Sequence, residues 1–205
     1  MMVTIINYGS GNISAICNIY DRLRIPYKIA NNEDDVEGAE KIILPGVGAF
    51  DETISRLDSS GFRSILDHEV LNNKVPVVGI CVGMQILAER SEEGDLPGLG
   101  WIKGEVRRIN PSSLKFKPKV PHLGWNSVSV SKANKLFQGI DAEQGFYFLH
   151  SYYFHCHNSE DVLATTTYGQ TFASAVSNKN VFGVQFHPEK SHHNGVTLLQ
   201  NFATF

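Results

Sequence analysis

The feature that most constrains the fold is Val75-Pro76-Val77-Val78-Gly79-Ile80, an apolar run broken only by Pro76 near its start. A strand with no polar face must be covered on both sides, as in a parallel sheet between two helical layers. The surrounding chain agrees. Val3–Asn7, Tyr27–Ala30 and Lys41–Leu44 read as strands, and Ile13–Leu23, Asp51–Ser59, Phe62–Asn72 and Val82–Arg90 as helices. Strands alternating with helices predict a three-layer α/β fold with a mostly parallel central sheet. From Gly98 to Tyr168 aromatic and β-branched residues dominate, with turn signals at Asn110-Pro111, Lys117-Pro118 and Ser131–Lys135, so an antiparallel extension is expected. Ala173–Ser177 and Val181–Phe186 read as a hairpin across Asn178-Lys179-Asn180, and Gly195–Thr204 as a closing helix.

At 205 residues, without repeats or a linker-like tract, the chain is expected to be one domain, 1–205. A formal net charge of −3 and no basic run give no reason to expect nucleic acid or an anionic membrane as partner. No apolar stretch suits a bilayer span, and Met1–Ser10 lacks the features of a secretory signal. The three cysteines, Cys17, Cys81 and Cys156, are too few and too scattered for a disulfide framework. They suit a reducing, cytoplasmic setting. Cys17 keeps helical spacing with Ile13, Ile16 and Tyr20 and reads as core.

Cys81 has different surroundings. It ends the apolar strand inside Gly79-Ile80-Cys81-Val82-Gly83, the pattern of a nucleophile elbow with sulfur in place of a serine hydroxyl. The following helix start would favour a thiolate, and the Val82 N–H would face a developing oxyanion. Taken alone, the pentapeptide reads equally well as a buried cysteine in a glycine-rich turn. A thiolate also needs a base and a group to orient it. Val184-Gln185-Phe186-His187-Pro188-Glu189 offers both, because Pro188 favours extended backbone at His187 and extended chain turns His187 and Glu189 to one side. Alone, that segment reads as a strand-end histidine and a solvated glutamate. Leu44-Pro45-Gly46-Val47-Gly48 follows another strand and falls at the carboxyl edge of the sheet, where such sheets bind ligands.

Together, Pro45-Gly46-Val47-Gly48, Gly79–Gln85 and Gln185–Glu189 resemble the motifs of the class I (triad) glutamine amidotransferases, in that family's order and spacing. The likeness spans nearly the whole chain and implies a flavodoxin-like sheet. Asn7–Asn12, Pro121–Asn126 and His150–Tyr153 are similar to motifs of the glutaminase subunit of imidazole glycerol phosphate synthase. The resemblance implies that Cys81 attacks the side-chain amide of L-glutamine, that His187 moves protons and that Glu189 orients it. It makes the Val47 and Val82 N–H groups the oxyanion hole. Gly46, Gly48, Gln85, Glu93, Ser151 and Tyr152 become the glutamine contacts, although Glu93 alone also reads as a solvated helix end. No cofactor and no metal are implied. Ammonia needs an acceptor site, so the resemblance implies a (β/α)8-barrel synthase partner in a heterodimer, with Asn12, Pro121 and Trp125 at the interface. For Trp125, ordinary core is an equal alternative.

Other readings are possible. Paralogous glutaminases that supply ammonia to amidino sugars share the same triad. A zinc hydrolase would use His155, His157, His187, Glu189, His192 or His193, but the deaminase pattern also requires a later cysteine pair, which is missing. A dinucleotide fingerprint at Gly9-Ser10-Gly11 requires glycine where Ser14 stands.

Overall fold

The computed structural model describes residues 1–114 and 120–205, and the turn expected at Lys117-Pro118 lies outside them. The strands are β1 (Val3–Ile6), β2 (Tyr27–Ala30), β3 (Lys41–Gly46), β4 (Val77–Cys81), β5 (Arg90–Ser91), β6 (Gly104–Arg108), β7 (His122–Asn126), β8 (Ser129–Val130), β9 (Phe146–His150), β10 (Tyr152–Cys156), β11 (Val162–Tyr168), β12 (Gln170–Asn178) and β13 (Val181–Val184). The helices are α1 (Ile13–Leu23), α2 (Phe50–Ser59), α3 (Phe62–Asp67), α4 (Val82–Gln85) and α5 (His192–Thr204).

The main sheet runs β2-β1-β3-β4-β13-β12-β10-β6-β5, with β11 joined to β12 and β8 joined to β11. The first five strands are parallel. Beyond β13 the pairings of β12 with β13, β10 and β11 are antiparallel, as is that of β10 with β6. Every residue of β1, β3, β4 and β13 is buried, as the unbroken apolar runs require. From β1 the chain crosses one way to β2, and from β3 the other way to β4. Right-handed crossovers therefore put α1 on one face and α2 with α3 on the opposite face. α5 joins α1, where the Tyr20 hydroxyl donates to Leu199 O at 3.2 Å. The order reverses between β1 and β3, so the ligand crevice is expected at the carboxyl ends of these strands. A separate antiparallel pair, β7–β9, stands beside that edge.

Two expectations change. The helix expected over Val82–Arg90 stops at Gln85. Ile86, Leu87 and Ala88 are fully buried, and the carbonyls of residues 86 to 89 accept from Leu99, Ile102, Gly100 and Gly98. A loop from the second half thus takes the carbonyls that a longer helix would have used. The closing helix starts at His192, three residues early. Among the described residues no helix is long and apolar enough to cross a membrane.

Candidate active site

β4 ends at Cys81 with φ 56° and ψ −113°, a backbone conformation that few non-glycine residues adopt. The glycines around it allow the close approach. A Cβ on Gly83 would lie 2.0 Å from Leu44 O, one on Gly79 2.4 Å from Gly83 O, and one on Gly46 2.4 Å from Gly83 N. Gly46 thus seats β3 against the elbow and does not line the cavity. Cys81 is 4 % exposed, and its Sγ lies 3.8 Å from Gln185 Nε2 and 3.9 Å from Leu149 O. The Val82 N–H opens α4, where amides have no intrahelical acceptor.

His187 meets Glu189 at 2.8 Å, Nδ1 to Oε1, with both side chains almost fully buried. A carboxylate only accepts, so Nδ1 carries the proton and Nε2 remains for the sulfur. His187 is extended, as expected before Pro188, but Glu189 lies in the 3₁₀ turn Pro188–Lys190. The turn, not strand alternation, brings the two side chains together. The His187 N–H donates to Tyr147 O at 2.9 Å, and the Ser191 hydroxyl donates to His187 O at 2.6 Å. Burial pushes the His187 pKa down, but hydrogen bonding and charge from Cys81 and Glu189 outweigh it and raise it well above the ordinary value. Glu189 Oε2 is buried without a hydrogen-bond partner.

Cys81, His187 and Glu189 line one cavity of about 360 Å³ together with Val47, Gly48, Val82, Gln85, Glu93, Ser151, Tyr152, Asn12 and Pro121. Gln85 Nε2 donates to Tyr152 O and to Gln185 Oε1, each at 3.0 Å, which leaves Gln85 Oε1 as an acceptor. Glu93 is not a solvated helix end: its Oε2 accepts from the Phe50 N–H at 2.9 Å. Burial raises its pKa, the Phe50 bond lowers it and the Asp51 charge raises it, for a net rise. The Val47 N–H departs from expectation. It donates to Ser10 Oγ at 2.9 Å, and that hydroxyl donates back to Val47 O at 2.9 Å. The Val47 amide is therefore held by the β1–α1 loop and does not face Cys81. Trp125 is 41 % exposed, so the core alternative fails, and it stacks on His192 with centroids 5.4 Å apart.

Ser10, Gln185, His122 and His150 all lie inside the recognised motifs, but motif reading gave none of them a role at the site. Gln185 carried a signal, as a polar residue in an apolar strand two positions before His187. Among the described residues no group of three or more His, Cys, Asp or Glu could hold a metal ion.

A strained cysteine elbow at the end of a parallel strand, sharing a cavity with a buried His–Glu pair, defines a thiol-dependent acyl-transfer site. The chain belongs to the glutamine amidotransferase class-I family, whose model matches residues 4–204. It is 52 % identical over 202 residues to the imidazole glycerol phosphate synthase subunit HisH of Bdellovibrio bacteriovorus, covering 98 % of this chain and 99 % of that protein. It is 47 % identical over 203 residues to the subunit of the same name from Leptospira borgpetersenii, covering 99 % and 100 %. A crystal structure of a glutamine amidotransferase shares the fold, with a TM-score of 0.72, 20 % identity and 99 % of each chain covered.

Proposed function

We propose that this chain is a single-domain, cytoplasmic glutaminase subunit of imidazole glycerol phosphate synthase, which releases ammonia from L-glutamine for a (β/α)8-barrel partner in histidine biosynthesis. One observation carries the chemistry: the strained Cys81 shares one cavity with a buried His187–Glu189 pair whose Nδ1–Oε1 bond leaves Nε2 for proton transfer.

In this reading the Cys81 thiolate attacks Cδ of the glutamine side chain, and the amide oxygen becomes an oxyanion facing the Val82 N–H. The His187 imidazolium gives its Nε2 proton to the leaving nitrogen, ammonia departs and a γ-glutamyl thioester remains. Water then adds to the thioester and gives a proton to His187, and glutamate leaves as the thiolate reforms. Glu189 holds the Nδ1 proton throughout and offsets the imidazolium charge. Glu93 takes the substrate α-ammonium, which favours its ionised form. The Ser151–Tyr152 backbone takes the α-carboxylate, Gln85 Oε1 accepts from a substrate N–H, and Gly48 keeps the entrance clear of side chains. Completing the oxyanion hole requires the Val47 peptide to leave Ser10.

The partner face is supported by the surface beside the cavity. Leu123 and Leu149 are paired across β7 and β9 and are 56 % and 38 % exposed, next to exposed Trp125 and Val47. This apolar patch borders Asn12 and Pro121 at the cavity mouth. The test is glutamate release from L-glutamine, with and without the barrel subunit of imidazole glycerol phosphate synthase and its nucleotide ligand, beside Cys81→Ala. Stimulation by the liganded barrel, lost in Cys81→Ala, is the expected result. Equal activity in the variant overturns the mechanism, and stimulation only by a sugar-amidating barrel overturns the pathway.

A further inference from the structure

A chain of hydrogen bonds, buried at its centre, leads from the surface at Asn126 to the cavity wall at His150 and Tyr152, and the proposed mechanism does not use it. It starts at Asn126, whose Nδ2 meets His122 Nε2 at 3.1 Å and donates to Thr167 O at 3.0 Å. His122 Nδ1 meets His150 Nε2 at 2.9 Å, and His150 Nδ1 meets Tyr152 O at 2.8 Å. The acceptors assign every proton. Tyr152 O only accepts, so His150 Nδ1 is the donor; His150 Nε2 must then accept from His122 Nδ1, and His122 Nε2 from Asn126.

The pair sits in an aromatic box. His122 lies between the rings of Phe148 and Tyr168, with centroids 4.6 and 4.1 Å away, and edge-on to Phe172. His150 packs edge-on against Phe172. Burial pushes His122 down to about 4. Burial also pushes His150 down to about 3, with the Tyr152 carbonyl opposing it and His122 and His187 adding to it. Both rings are therefore neutral at neutral pH, as the proton assignment requires.

The chain ends at the carbonyl that also accepts from Gln85. Next to it in the ladder, the Ile109 N–H donates to Ser151 O at 2.9 Å, and Tyr152 pairs with Arg108. Pairs alternate in an antiparallel ladder, so Tyr152 is a non-bonded position whose N–H and C=O both point away from β6, towards the cavity. The Tyr152 carbonyl is held instead by His150 and Gln85.

We propose that His122 and His150 are positioning residues for glutamine binding: a neutral histidine pair that fixes the Tyr152 backbone and, through the shared carbonyl, the Gln85 amide. This rests on the cavity being the glutamine site. His122 stands opposite His150 in the β7–β9 pair, and the outward neighbours Leu123 and Leu149 carry the apolar patch. The same two strands thus carry both the histidine pair beside the substrate segment and the apolar patch proposed as the docking surface.

The test uses the full chain with its barrel partner and compares wild type, His122→Phe, His150→Leu and His150→Asn. Asparagine at 150 returns a donor at the Nδ1 position. Two readouts are taken: steady-state kinetics with L-glutamine, and the rate of Cys81 alkylation by iodoacetamide and by 6-diazo-5-oxo-L-norleucine. Only the second reagent carries the amino-acid end of glutamine. His122→Phe and His150→Leu are expected to raise KM for glutamine about tenfold, with kcat within about threefold, and His150→Asn to recover most of the loss. Alkylation by the glutamine analogue slows by the same factor, while the iodoacetamide rate holds. An unchanged KM in folded variants overturns the proposal. So do equal losses with both reagents, which mark a structural role. If neither reagent labels Cys81 in the wild type, the glutamine-site reading fails first and takes the proposal with it.

Discussion

The Ser10 hydroxyl accepts from the Val47 N–H, which belongs to the Gly46–Val47 peptide, and donates to the Val47 C=O, which belongs to the next peptide, so it sets the direction of the Val47 amide through one hydrogen bond. A hydrogen bond of this kind contributes about 1 kcal/mol, enough to bias a peptide between two orientations by about fivefold. Ser10→Ala is therefore expected to raise glutamine hydrolysis without the partner by about three- to tenfold and to reduce the stimulation the barrel adds. Glutamate release by the isolated chain measures it. An unchanged basal rate would mean that the Val47 orientation does not limit turnover. The histidines also show why residue-scale reading is incomplete. His187 was found because its neighbours Pro188 and Glu189 form a motif, while His122 and His150 lie 28 positions apart and meet only through strand pairing.

Among the elements, α4 illustrates how a local pattern is overridden. Residues 82–90 suit a helix, yet the carbonyls of residues 86 to 89 are taken by N–H groups from residues 98–102. Gly98 makes this possible, because a Cβ there would lie 2.0 Å from Ala88 O and 3.0 Å from Ile86 O. Both are backbone atoms and neither yields easily. Gly98→Ala is expected to cost about 2–4 kcal/mol of stability, read from the denaturant midpoint. A neutral effect would show that the loop does not clamp the segment. The central strands behave differently: β1, β3, β4 and β13 lie within two residues of the apolar runs that announced them, since burial on both faces leaves a continuous signature. The β7–β9 pair left a weaker trace, because its alternation is interrupted by Gly124 and its outward face is itself apolar.

For the molecule as a whole, the proposed partner face can be tested without touching the site. Leu123 is 56 % exposed, so Leu123→Asp should leave folding and the isolated chain's basal rate unchanged, yet weaken barrel binding by about tenfold or more. Calorimetric titration with the barrel subunit measures it, and undiminished affinity would move the interface elsewhere. What could be read from the chain alone was what travels in contiguous residues: the parallel sheet from its apolar runs, the elbow from Gly79-Ile80-Cys81-Val82-Gly83, and the closeness of His187 and Glu189, though not the 3₁₀ turn that joins them. Burial and backbone geometry act over a few neighbours, so they leave local marks. The early end of α4, the capture of the Val47 amide by Ser10 and the chain from Asn126 to Tyr152 join residues far apart in sequence. Such contacts depend on which strands pair and which loop closes over which carbonyl, and no local pattern encodes them.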